Sequence, residues 1–218
     1  MKRTITVTGE AKVSAKPDLV ILSLSLEALD QEYEQAMEKA AKQMADLDSS
    51  LAAAGFEKDA IKTTSFQVET DYERIQDENG NWKNVFNGYK VYHRLKVEFD
   101  FDTEVLARAL NAVSESSADP QLSVNFTIKD PSDIKEKLLE SLTKNAKRKA
   151  LVLCEASGLS LGDLLTINYS WGEINLVSDT DFRLENSRTA MLMEESIDIR
   201  PDDIDLRDSA LFVWEIGE

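Results

Sequence analysis

Few side chains in this sequence have the type and setting to do chemistry, and each also has a plainer structural reading. His93 is the only histidine among 218 residues, so any Ser-His-Asp or Cys-His nucleophile would have to recruit it. It alternates with Val91 and Leu95 along one run, which places it on an apolar strand face as a hydrogen-bonded core histidine. A zinc site draws on several nitrogen or sulfur ligands, and one histidine with one cysteine does not make such a set. Cys154 lies near Lys147, Arg148 and Lys149, and neighbouring cations favour a reactive thiolate. It has no second cysteine to resolve a disulfide, and near the end of an amphipathic helix it reads as a small packed apolar group.

Carboxylates are plentiful, 41 of them, so a carboxylate-only hydrolase is open on chemistry alone, yet no pair is marked out by spacing. Asp77-Glu78-Asn79-Gly80 has the acids of a calcium loop without its twelve-residue ligand pattern. Asp198, Asp202, Asp203, Asp205 and Asp208 read as a solvated acidic edge before they read as a cation site. Lys144, Lys147, Arg148 and Lys149 form the one basic cluster, and a position in the later half of a helix accounts for them without a phosphate ligand. No catalytic residue, cofactor or metal ligand is therefore expected.

The net charge of -16 repels phosphate backbones and anionic headgroups, so neither nucleic acid nor a membrane surface is an expected partner. No run approaches the roughly 20 apolar residues of a membrane span. Met1-Lys2-Arg3 passes directly into an alternating strand pattern with no apolar leader, which points to the cytoplasm. A secreted or cell-envelope chain whose leader had been removed reads the same way.

The periodicities supply the frame. Ile5, Val7 and Gly9 alternate with threonines as a first strand, and Ala15-Lys16-Pro17-Asp18 reads as a turn. The second strand runs from Leu19 to about Ala28, with Val20, Leu22, Leu24 and Leu26 on one face and Ser23, Ser25 and Glu27 on the other. These two strands predict a hairpin with one wet face. Tyr33, Met37, Ala40, Met44, Leu47 and Leu51 form a helical stripe over 31–54, with Asp30 as N-cap and Gly55 past the end. A third strand over 62–71 leads to a polar stretch, 73–87, containing the turn signal Asn79-Gly80. In the fourth, Tyr89, Val91, His93, Leu95, Val97, Phe99 and Phe101 oppose Lys90, Tyr92, Arg94, Lys96, Glu98 and Asp100. A short helix over 103–114, a strand over 121–128 and a long helix from Ser132 to about Ser157 follow. That helix has the stripe Ile134, Leu138, Leu142, Ala146, Ala150 and Leu153. A strand over 163–171, an irregular segment over 172–196 and one or two strands over 197–216 complete the chain. The fold class is α+β, with antiparallel sheets packed by helices: ββαββ in a first subdomain, 1–101, and αβαββ in a second, 102–218.

Four phrases in order resemble the SIMPL-domain family: Thr8-Gly9-Glu10 through Pro17-Asp18, then Asn87-Gly88-Tyr89, then Ala146 to Gly162 with its lysines and glycines, and Pro201 to Trp214 at the close. Ala11 stands where the first phrase often has glycine. The resemblance implies an α+β fold of two subdomains, frequent homo-oligomers, no established enzymatic activity, and suggested roles in stress response and protein interaction. It brings no catalytic residues with it. The expectation is a non-enzymatic, self-associating binding or scaffold protein. Its contact surface would include strand edges and Trp171, Phe182, Met191, Leu192 and Met193, residues that equally fit a segment tucked beneath a sheet. The rival expectations are a small-molecule or peptide module using a cleft between subdomains, and the carboxylate-only hydrolase.

Overall fold

A computed structural model describes residues 3–77, 80–170, 175–184 and 199–218. The elements follow in the order β1 (Thr4–Ala15), β2 (Leu19–Asp30), α1 (Tyr33–Ala53), β3 (Ile61–Gln76), β4 (Trp82–Asp100), α2 (Thr103–Glu115), β5 (Gln121–Thr127), α3 (Ser132–Ala156), β6 (Ser160–Asn168), β7 (Phe182–Leu184) and β8 (Ile204–Gly217). The class is α+β, with two sheets ordered β1-β8-β6 and β3-β4-β2-β5-β7.

The boundary expected after residue 101 is corrected. One unit takes Met1–Pro17, Thr127–Asp179 and Asp202–Glu218; the other takes Asp18–Phe126 and Thr180–Pro201. The reason lies in the core. Leu106, Ala109, Leu110 and Val113 of α2, and Leu122, Val124 and Phe126 of β5, are buried in one cluster with Val20, Leu22, Leu24 and Leu26 of β2. These elements cannot be separated from the first half without exposing that face. In this unit the order β2-α1-β3-β4-α2-β5 with sheet order β3-β4-β2-β5 is the split βαβ arrangement of ferredoxin-like sheets.

The expected β1–β2 hairpin does not form. β1 pairs antiparallel with β8, from Thr4↔Glu215 to Ala15↔Ile204, while β2 pairs with β4 from Leu19↔Asp100 to Asp30↔Tyr89. Asp18 is tied to the second unit, its carbonyl accepting from the Phe101 amide at 2.8 Å. Strand partnership here follows the complementary apolar face rather than nearness in sequence: Val7 on β1 shares a core with Ala210, Phe212 and Trp214 of β8 and with Leu142, Ala146 and Ala150 of α3.

That core requires close contact at Gly9. A Cβ there would overlap the Leu142 carbonyl oxygen and approach the Ala146 Cβ to 2.8 Å, so only glycine lets β1 lie flat on α3. The helix's buried stripe is Leu138, Leu142, Ala146, Ala150 and Cys154. Leu153, expected in the stripe, is half-exposed, because the row advances by four residues and reaches Cys154. At α1, Gly55 ends the helix with φ +94° as expected. Asp30 is not the N-cap: Glu32 holds that position, and Asp30 accepts from the Glu32 amide and pairs with Lys39 at 2.7 Å instead.

Most of the polar stretch 73–87 is paired strand: 73–76 belong to β3 and 82–87 to β4. β3 and β4 continue beyond the end of β2 as a two-stranded ribbon, from Asp71↔Gly88 to Gln76↔Trp82. With no third layer to sort its side chains, the ribbon carries no clean alternation.

Replacing Gly9 by alanine is expected to cost about 1–3 kcal/mol through overpacking against α3. Hydrogen exchange checks this: amides of β1 and α3 should exchange faster, while those of β2 and β4 keep their protection. Unchanged protection in β1 would mean that the strand tolerates the added carbon.

Candidate functional site

His93 sits in β4 between the buried Val91 and Leu95, as its alternation predicts. Its Nε2 lies 2.9 Å from the Thr63 hydroxyl, and Phe66 meets the ring edge-on at 5.0 Å. Burial holds its pKa below the ordinary 6.5. The Thr63 hydroxyl is the imidazole's hydrogen-bond partner, and among the described contacts no carboxylate orients the ring, so the environment is that of a satisfied core side chain. Cys154 is buried in α3.

Three of these acids are engaged locally. Asp205 accepts from Lys12 at 2.6 Å and from the Ser14 hydroxyl at 2.5 Å, and these partners lower its pKa. Asp208 accepts from the Tyr169 hydroxyl at 2.6 Å; desolvation first, and this bond second, push the phenol up to about 12. Both acids therefore lace β8 to neighbouring segments. Asp198 lies outside the described residues. Asp77 closes the β3–β4 turn, its carboxylate accepting from the Asn81 amide at 2.9 Å. No group of three or more metal-ligating side chains occurs among the described residues.

The basic cluster is not at the negative end of α3, whose last turn has no cation. Lys149 instead reaches across to β1, donating to the Thr8 carbonyl at 3.1 Å and to Glu10 at 3.3 Å, and Lys144 pairs with Glu140 at 2.8 Å. Of the expected contact residues, Phe182 packs partly buried against the second unit's core and pairs across to Val124. Trp171, Met191, Leu192 and Met193 lie outside the described residues.

Sequence patterning missed the most exposed aromatic surface among the described residues, which lies on the ribbon. Gly88, at φ +143°, marks its root, where a Cβ would overlap the Asp30 carbonyl oxygen at the end of β2. The register slips between Asp71 and Tyr72, and the Asn87 side-chain amide donates to Asp71 at 2.6 Å. Outward from that bulge runs a ladder of edge-to-face rings: Tyr33–Tyr89 at 5.6 Å, Tyr89–Phe86 at 5.4 Å and Phe86–Tyr72 at 5.9 Å. Arg74 lies over Trp82, 5.4 Å from its ring centre. Tyr72 is 57% exposed, Trp82 59% and Phe86 42%. The available signal was composition: Tyr72, Trp82, Val85 and Phe86 flank an Asn-Gly turn, a hairpin mark whatever the polarity between them. In the other unit, β6 is an edge strand with Leu164, Leu165 and Ile167 exposed.

The SIMPL family model, described as a protein of unknown function (DUF541), matches residues 5–214. The chain belongs to the SIMPL family. Among curated SIMPL relatives, the 26 kDa periplasmic immunogenic protein of Brucella melitensis is 26% identical over 167 residues, 75% of this chain. The uncharacterized protein YggE of Escherichia coli K12 is 22% identical over 165 residues, 76% of this chain. The matched region spans 65% of each relative's length. Two of the glycines in the SIMPL phrases thus meet close-packing demands, Gly9 on α3 and Gly88 on β2.

The buried imidazole gives a pH dependence. Its folded pKa is below that of the unfolded chain, so its contribution to stability is whole above about 6.5 and is lost as pH falls through the folded value. The single histidine resonance should titrate below 6.5 by NMR. Wild type should lose stability more steeply on acidification than His93→Gln; titration at or above 6.5 would contradict the burial argument.

Proposed function

We propose that this SIMPL protein is a non-enzymatic binding or scaffold protein that associates with copies of itself through the β3–β4 ribbon. The aromatic ladder of Tyr89, Phe86 and Tyr72, with Arg74 stacked on Trp82, carries the reading. Aromatic and arginine side chains supply most of the binding energy in protein interfaces. A ribbon of two strands is marginally stable alone in water, so a partner that covers it also stabilises it. Each large ring buries on the order of 150–250 Å² when covered.

Two observations support the non-enzymatic part. The one imidazole is packed in a core, and among the described residues the carboxyls that depart from ordinary values, Asp30, Asp130, Glu140 and Asp205, are all lowered by local donors. A general acid needs the opposite shift. The Brucella relative is named as periplasmic, which favours a cell-envelope location over the cytoplasmic one expected from the N-terminus. Among the described residues no helix is long and apolar enough to cross a membrane. The suggested role in stress response belongs to the same reading.

Light scattering coupled to size exclusion should give a defined mass that is a multiple of 24.5 kDa. Changing Tyr72, Trp82 and Phe86 together to serine should return it to the single-chain value. A wild-type monomer, or a mass lowered by Leu164→Ser with Ile167→Ser and not by the ribbon changes, would overturn the ribbon assignment.

A further inference from the structure

The polar face of the five-stranded sheet, opposite the helices' core, holds a trough of about 650 Å³. Its floor is short hydroxyl side chains: Ser23 and Ser25 from β2 and Ser123 from β5. Its walls are cationic. Arg94 and Lys96 rise from β4 directly across from Ser25 and Ser23, and Arg183 rises from β7 across from Ser123. Among the described residues no Asp or Glu lines the trough, although acids outnumber bases 41 to 25 in the chain. The described lining is therefore basic in a chain that is acidic as a whole.

The cations differ in how far they are already engaged. Lys96 pairs with Glu98 at 2.8 Å, and Arg183 meets Asp181 through Nε at 2.9 Å, a pair of well-exposed side chains that water screens strongly. Arg94 makes no ion pair with a described residue, while its backbone carbonyl accepts from the Thr64 hydroxyl at 3.2 Å. Three strand intervals separate β4 from β7 in the order β4-β2-β5-β7. At about 4.8 Å each, the strands that carry the two arginines lie roughly 14 Å apart across the sheet, a span that two arginine side chains lining one trough can bridge. Guanidinium groups match phosphate and carboxylate geometry in two-pronged fashion. The trough's volume is in the range of small-molecule sites.

We infer that this trough binds a small organic polyanion, one bearing at least two phosphate or carboxylate groups, with Arg94 and Arg183 gripping its ends and the serine hydroxyls donating between them. The site is independent of the ribbon and does not require self-association.

Calorimetric titration of the full chain with inorganic triphosphate in one arm and citrate in the other tests it at low salt. At least one should bind, weakening as salt rises, and amide signals of Ser23, Ser25 and Ser123 should move in NMR spectra. Binding of triphosphate alone assigns a phosphate ligand; binding of citrate alone assigns a carboxylate ligand. Arg94→Gln with Arg183→Gln should weaken binding at least tenfold, while Lys144→Gln on α3 leaves it unchanged; both arginines are surface side chains, and an unchanged amide spectrum elsewhere verifies the fold. Silence from both anions, shifts located elsewhere, or equal binding by the double variant would overturn the assignment.

Discussion

The first unit depends on one ladder, the antiparallel pairing of β1 with β8 along twelve residues of each strand. These strands lie at opposite ends of the sequence, and α3 has nothing to bury its stripe against until they meet. Closing so long a loop costs conformational entropy before any contact repays it. The return comes from a small core of Val7, Ala210, Phe212 and Trp214 against Leu142, Ala146 and Ala150, drawn together by the missing side chain at Gly9. Lys149 and Asp205 then fasten the same strand from either side, through Thr8 and Lys12.

The second unit is organised by the two faces of one sheet. Even-numbered positions of β2, from Val20 to Ala28, are sealed against helices, and the odd-numbered serines between them are only partly covered. Because that outer face is not needed for the core, its residues are free to specialise, and there the cations gather. Where β2 ends at Asp30, its neighbour β4 continues, paired with β3, and the exposed side chains there become aromatic. Packing, charge and apolar contact surface are thus spread over different stretches of the same strands.

Most of the element order was legible because it rests on periodicity. Two periods of alternation gave β2 and β4, spacings of three and four gave α1 and α3, and His93 fell on the face its parity assigned. What sequence concealed was partnership. Nothing local distinguishes a β1 that pairs with β2 from one that pairs with β8, since the deciding surface is some 200 residues away. The unit boundary was hidden for the same reason: α2 and β5 follow the expected break in sequence yet complete the core that precedes it. The ribbon was missed because a strand pair without a layer beneath it imposes no alternation. In the trough, Arg94 and Lys96 were placed on the wet face of β4, but their convergence with Arg183 requires the order β4-β2-β5-β7, which no spacing encodes.

The β1–β8 ladder also fixes where the two chain ends emerge. The Arg3 carbonyl accepts from the Ile216 amide at 3.0 Å, and the Arg3 and Glu218 side chains pair at 3.7 Å. Any sequence joined before Arg3 and any joined after Glu218 therefore leaves from one spot on the three-stranded sheet. A tether attached at either end would present the protein to its surroundings in the same orientation. A short linker could fuse the two ends and let new termini be opened between β3 and β4, with the β1–β8 ladder then formed between neighbours in the rearranged chain.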